Sequence, residues 1–113
     1  MAQLGDEESV QDCVKAIRLE PEGWKRGPRL RRLGRVRHPL IVVLLQEQLN
    51  DSTVYRDDQN FVFHIDRIAA QVLSQMLVGF PAPEAKRGHY DSKDIVRCRE
   101  WMNKQTNWQF RAF

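Results

Sequence analysis

The sequence predicts a mainly α-helical protein, a small helical bundle of three to four helices with a basic irregular connection. Apolar residues recur at helical spacing in several segments, glycines and prolines interrupt the chain between those segments, and no internal repeat is present. The chain has 113 residues, of which 42% are hydrophobic and 29% are charged. A chain of this length buries about two thirds of its surface on folding, so a core can form without a metal ion or disulfide bonds.

The predicted organisation has four parts. They are a flexible N-terminus (1–5), an amphipathic helix (6–19), a basic linker (20–38) and a helical domain (39–113). Four apolar residues of the first helix fall on one stripe of a 3.6-residue period: Val10, Cys13, Val14 and Ile17. Pro21 then ends this helix, because proline cannot continue the helical hydrogen-bond pattern.

The basic linker is the most informative feature of the composition. Seven of the 18 lysines and arginines, and none of the 15 acidic residues, lie between positions 25 and 37. They are Lys25, Arg26, Arg29, Arg31, Arg32, Arg35 and Arg37. Prolines and glycines interrupt the linker and like charges repel one another, so we expect no regular element there. Such a cation cluster suits a polyanion, and Trp24 at its edge can stack on an unpaired base. A nuclear-import address, a contact with an acidic protein or lipid, and a solvated linker without a partner stay open as alternatives.

The helical domain is predicted to contain three helices. Pro39 opens the first, although the apolar run 40–45 also suits a buried strand and that alternative stays open. The second spans 60–78, with Asp57, Asp58 or Asn60 as its cap. Its apolar face comprises Phe61, Ile65, Ile68, Ala69, Val72, Leu73, Met76 and Leu77. The third spans 92–103, and Asp91 has the side chain of an N-cap residue.

The C-terminal tail (105–113) is aromatic. It contains Trp108, Phe110 and Phe113. Large aromatic side chains supply much of the contact area in cores and interfaces alike. The tail therefore either packs back on the core or binds a protein partner, and both interpretations stay open.

The sequence carries little that favours catalysis or cofactor binding. Its histidines (His38, His64 and His89) form no metal-ligand spacing with one another or with Cys13 and Cys98, so we expect no metal site. No glycine-rich phosphate loop occurs, and we expect no cofactor. We interpret His64 and His89 as solvated residues. The cysteines are interpreted as buried thiols, with a disulfide or redox pair as the open alternative.

The N-terminus and the longest apolar run bear on the location of the protein. The N-terminus is acidic, unlike a secretory signal or a transit peptide. The longest apolar run has six residues, far fewer than the roughly 20 that span a bilayer. We therefore expect an intracellular protein, cytoplasmic or nuclear, without membrane insertion.

One stretch carries a pattern that extends over several elements. It consists of His38-Pro39-Leu40-Ile41 followed by Thr53, Arg56, Asp58, Phe61, Phe63, Asp66, Arg67 and Ile68. Residues 38–81 resemble the N-terminal segment of uracil phosphoribosyltransferases, with a short insertion between Asp58 and Phe61. The resemblance implies a helical segment ahead of an α/β domain, but this chain lacks that family's Thr-Gly-Gly-containing loop. The resemblance therefore implies a truncated relative without activity, and it assigns no catalytic residue.

The sequence favours binding over catalysis, and three functions stay open. The first is a small non-enzymatic binding or adaptor protein that contacts nucleic acid or an acidic protein through residues 25–37. The second is a protein-interaction subunit of a larger complex, which uses apolar helix faces and the aromatic tail. The third is an inactive phosphoribosyltransferase-like protein. The sequence predicts no oligomeric state.

Overall fold

The computed structural model describes residues 7–83 and 89–112, and the mainly helical fold class is confirmed. The elements are α1 (Glu7–Leu19), α2 (Gly23–Arg31), a 3-10 helix (Arg32–Arg35), α3 (Pro39–Gln48), β1 (Val54–Arg56), β2 (Val62–His64), α4 (Ile65–Met76) and α5 (Ser92–Lys104). The predicted flexible N-terminus (1–5) lies outside the described residues. No helix in the described ranges is long and apolar enough to cross a membrane.

Helix α4 lies at the centre of the bundle and contacts α2, the 3-10 helix, α3 and α5. Its buried residues are Ile65, Ile68, Ala69, Ala70, Val72, Leu73 and Met76. Most of the predicted apolar face is therefore confirmed. The helix begins at Ile65 rather than at position 60, and Phe61 is 61% exposed. The prediction of a helix over 60–64, with Phe61 in the core, is wrong.

The residues before α4 form a β-hairpin, in which β2 pairs antiparallel with β1. Asn60 adopts the left-handed backbone conformation (φ 66°), which asparagine tolerates better than most residues. The Asp57 carboxylate accepts hydrogen bonds from the N–H groups of Gln59 and Phe61, each at 2.9 Å. Asp57 therefore closes the hairpin turn, as aspartate side chains do in such turns, and does not cap α4.

Two predicted helix starts are confirmed by their caps. Helix α3 begins at Pro39, and the ring of His38 accepts the N–H of Leu40 at 3.1 Å. Helix α5 begins with a capping box, in which Asp91 and Asp94 each accept the other's backbone N–H. Both arrangements satisfy N–H groups that have no partner inside the helix. The open alternative of a strand at 40–45 is thereby excluded.

The predicted irregular linker is wrong, because most of it folds as α2 and the 3-10 helix. Its glycines are places of close approach rather than breaks. A Cβ atom at Gly27 would lie 2.7 Å from Cζ of Tyr55, and one at Gly23 would lie 2.9 Å from Cγ2 of Thr53. The hairpin thus packs directly on the backbone of α2, and Leu30 is fully buried. This packing outweighs the low helix propensity of glycine and proline.

The tail packs back against the core over its described residues. Leu77 and Phe110 form an isolated antiparallel bridge, and Trp108 and Phe110 are half-buried against the core. Phe113 lies outside the described residues. Packing on the core therefore holds for Trp108 and Phe110, whereas partner binding by Trp108, Phe110 and Phe113 stays a prediction.

Candidate functional site

Five cations project from one side of α2 and the 3-10 helix, and we call them the cationic face. They are Lys25, Arg29, Arg31, Arg32 and Arg35, all exposed. The other side is buried and comprises Gly23, Arg26, Gly27, Leu30, Leu33 and Gly34. Buried residues at this spacing occupy one side of a helix, so the remaining side meets solvent. None of the five cations forms an ion pair with a carboxylate of residues 7–83 or 89–112.

Arg26 belongs to the predicted cation set, but its guanidinium serves the fold. It is 8% exposed and donates to the Asp51 carboxylate at 2.6 Å and to the amide oxygen of Gln48 at 3.2 Å. Burial acts to raise the pKa of Asp51, but hydrogen bonds from Thr53 and Arg26 outweigh it and hold that pKa below its ordinary value. We therefore leave Arg26 out of the candidate contact residues.

Arg37 is the second predicted cation that the fold uses. Its guanidinium donates to the backbone carbonyls of Gly34 at 2.6 Å, Arg111 at 3.0 Å and Gln75 at 3.4 Å. Burial lowers the pKa of Arg37 from its ordinary value. Because one side chain joins the 3-10 helix, α4 and the tail, Arg37 is likewise left out of the candidate contact residues.

A cleft of about 470 Å³ opens beside the cationic face, and we call it the β2 cleft. Its described lining residues are Arg31, Val62, Phe63, His64, Arg67, Ile68, Gln71, His89 and Tyr90. They include two arginines and two histidines but no acidic residue. Arg31 belongs to both surfaces, and its guanidinium carbon lies 4.7 Å from the ring centroid of Phe63, within the range of a cation–π contact. A lining of cations and apolar side chains suits an anionic ligand with apolar parts.

Sequence reasoning missed the β2 cleft because it treated residues 60–64 as helix. The structure brings His64 and His89 to one cavity, although the sequence suggested two unrelated solvated histidines. A signal for the hairpin was nevertheless present. Residues 54–56 and 62–64 each carry a β-branched residue next to an aromatic one, and they flank a polar turn (57–60), which is a composition typical of a β-hairpin.

The remaining candidate chemical groups are engaged in the fold or buried. The Nε2 atom of His38 lies 2.5 Å from the Glu7 carboxylate, while the other ring nitrogen caps α3. Cys98 is fully buried, and burial raises its pKa to about 11, so its thiol stays protonated at neutral pH. Cys13 and Cys98 are both free thiols and form no disulfide with each other, and Cys13 is half-buried rather than buried as predicted. In the described part of the chain, no group of three or more His, Cys, Asp or Glu residues is placed to hold a metal ion.

Comparison with known proteins gives no relative for this chain. No family model, no curated protein and no solved structure matches it. The resemblance of residues 38–81 to uracil phosphoribosyltransferases therefore stays a prediction.

Proposed function

We propose that the chain is a small, non-enzymatic intracellular binding protein that contacts an anionic partner, nucleic acid or an acidic protein, through the cationic face. The observation that carries the proposal is the line of five exposed cations on one side of a continuous helical segment, without an ion pair to any described carboxylate. Clustered positive charge attracts a polyanion over a Debye length of about 8 Å at physiological ionic strength, and release of counterions adds to the affinity.

The inward side of the same segment supports the proposal because it holds the cationic face in place. Arg26 binds Asp51 across the start of the hairpin, and Gly27 allows close packing of Tyr55. A cation on an anchored helix loses less conformational freedom on binding than one on a mobile linker. The proposal therefore needs no ordering of residues 23–35 by the partner.

The alternative of a protein-interaction subunit loses one of its two proposed contact surfaces, the apolar stripe of α1. In α1, Val10, Val14 and Ile17 are each less than 5% exposed. Trp108 and Phe110 in the tail are half-buried against the core. The apolar stripe of α1 is thus occupied within the chain, whereas partner binding by the tail residues Trp108, Phe110 and Phe113 stays a prediction.

Charge-matched variants test the proposal. Replacing Arg29, Arg32 and Arg35 with Gln removes three charges from the cationic face, and replacing Lys15, Lys93 and Lys104 with Gln removes three from exposed sites elsewhere. Binding of a fluorescent oligothymidylate and a fluorescent polyglutamate is measured by anisotropy at low salt. We expect the arginine variant to lose about tenfold or more in affinity for at least one of the two and to show a shallower salt dependence.

The control variant decides whether the loss is specific to the cationic face. We expect the lysine variant to retain most of the affinity, since its substitutions are scattered over α1 and α5. Equal losses in the two variants would mean that net charge alone governs binding. An arginine variant that binds both ligands as tightly as the wild type would overturn the proposal.

A further inference from the structure

We propose that the β2 cleft binds an extended acidic segment of a partner protein, which adds a third strand to the hairpin along the outer edge of β2. The inference rests on the proposed function for the anionic character of the partner. It goes further in naming the class of that partner, an acidic peptide rather than a nucleic acid, and the main-chain groups that receive it.

The hydrogen bonds between β1 and β2 fall on alternate residues. The N–H of Ile65 donates to the carbonyl of Thr53 at 3.0 Å, and the N–H of Asp57 donates to the carbonyl of Phe61 at 3.1 Å. In an antiparallel ladder, hydrogen-bonded pairs alternate with pairs whose main-chain groups point away from the partner strand. The residues between these bonded positions therefore direct some of their main-chain groups outward.

Two residues of β2 occupy the outward-pointing positions. Val62 is opposite Arg56 and His64 is opposite Val54, and both pairs lie between the hydrogen-bonded ones. The N–H groups of Val62 and His64 and the carbonyl of Val62 thus point away from β1. No described residue of the chain hydrogen-bonds to these three groups. Within residues 7–83 and 89–112 they form a short strand edge without a pairing strand, and natural proteins normally cover or protect such edges.

The β2 cleft runs along this edge. Its lining includes three consecutive residues, Val62, Phe63 and His64. Because these three residues are consecutive in β2, the cleft extends along the strand, and we infer that it opens at the outer edge. Its volume of about 470 Å³ is within the range of pockets that enclose a ligand.

The charge of the described lining residues favours an acidic segment. Arg31 reaches the cleft over the Phe63 ring and Arg67 reaches it from α4, and carboxylates form charge-assisted hydrogen bonds with guanidinium groups. At the open end of the strand, Phe61 is 61% exposed and Val62 is 46% exposed. A segment that alternates acidic and apolar residues matches this surface, since cross-strand neighbours interact on each face of a sheet.

The main-chain groups favour a peptide over a nucleic acid. A backbone phosphodiester of a nucleic acid can accept the N–H groups of Val62 and His64, but it carries no donor for the carbonyl of Val62. An extended peptide supplies both donors and acceptors in the spacing of a strand, which is how peptides add to exposed sheet edges elsewhere. The Tyr90 hydroxyl already donates to the carbonyl of Pro81 at 2.7 Å, so this ring acts as a wall of the cleft.

Amide hydrogen exchange of the full chain tests the inference. The ligand is a capped peptide of alternating Glu and Val, and exchange is followed residue by residue by NMR. We expect the amide protons of Val62 and His64 to exchange about tenfold or more slowly when the peptide is bound. A peptide of equal charge that is N-methylated at alternate residues cannot form the ladder, and we expect it to bind about tenfold more weakly.

A matched pair of variants removes one main-chain donor. Val62→Pro lacks the N–H at an edge position where proline is tolerated in strands, while Val62→Ala keeps it. We expect the first to weaken peptide binding about tenfold and the second to leave it nearly unchanged. Arg67→Gln, which leaves the backbone intact, is expected to weaken binding several-fold. Unaltered exchange at Val62 and His64, or equal binding of the two peptides, would overturn the inference.

The arginine variant of the cationic face separates this inference from the proposed function. With Arg29, Arg32 and Arg35 replaced by Gln, we expect polyanion binding to fall while the Glu-Val peptide still protects Val62 and His64. If oligothymidylate occupies the β2 cleft and excludes the peptide, the inference is contradicted and the proposed function is unaffected. If the arginine variant binds the polyanions as tightly as the wild type, the proposed function is contradicted, whatever the amide hydrogen exchange at Val62 and His64.

Discussion

The two sides of the basic linker (20–38) use the same kind of side chain for different purposes. Inward, Arg26 binds a carboxylate and Arg37 binds three backbone carbonyls, and both hold separate parts of the chain together. Outward, Arg29, Arg32 and Arg35 are exposed and have no described carboxylate as an ion-pair partner. Charge density alone does not distinguish cations that stabilise the fold from cations that can bind a partner. The position of each cation relative to the buried residues distinguishes the two groups.

The largest effect that follows from this comparison is on stability. Arg26→Ala leaves Asp51 and Gln48 without their buried donor, and we expect the free energy of unfolding to fall by about 3 kcal/mol. Arg29→Ala removes an equal charge from the outward side and is expected to leave the urea midpoint almost unchanged. Similar losses in the two variants, measured by urea denaturation, would contradict the division into inward and outward sides.

The next largest effect concerns the packing of the inward side of α2 against the hairpin. At an exposed helix position, Gly→Ala ordinarily stabilises by about 1 kcal/mol. At Gly27 the added methyl group meets the ring of Tyr55, so we expect Gly27→Ala to destabilise the protein by about 2 kcal/mol. A double-mutant cycle with Tyr55→Ala is expected to remove most of that cost. Stabilisation by Gly27→Ala alone would show that α2 and the hairpin are not packed as described.

The smallest effect is a pH dependence of the inward side. The folded-state pKa of Asp51 is depressed below its ordinary value of 3.8, so folding favours the ionised carboxylate. This contribution is fully present above the ordinary pKa and is lost as pH falls through the lower folded-state value. We expect the unfolding free energy of Asp51→Asn to vary less with pH below about 4 than that of the wild type. Parallel profiles for the two proteins in acid would contradict this role of Asp51.

The parts of the fold that the sequence predicts well are those with local causes. Asp91 and Asp94 stand three residues apart and satisfy each other's backbone, and Pro39 needs only its own fixed φ to open α3. Helix α2 could not be predicted in this way. Gly27 is favourable there only because Tyr55, far along the chain, occupies the space of the missing side chain. Helix propensity includes the free-energy cost of glycine in a helix, but it does not include contacts with residues distant in the sequence.

The candidate site likewise has one part that local sequence predicts and one part that depends on distant contacts. The outward cations are visible as a dense run of arginines, and five of the seven predicted residues remain in the cationic face. The β2 cleft depends on contacts between Arg31 and Phe63 and on the placement of His89 beside β2. Those contacts exist only after the hairpin and the bundle have formed. The hairpin pattern at 54–64 was the one sequence signal from which the cleft could have been anticipated.

The contact of Arg37 with the carbonyl of Arg111 spans 74 positions of the chain. The second of these residues is made long after the first, so a growing polypeptide carries Arg37 for most of its synthesis without that acceptor. Bringing such distant groups together has an entropic cost that shorter contacts avoid. We therefore expect the C-terminal end of the basic linker to fold late, in the same step in which residues 109–111 pack against α4.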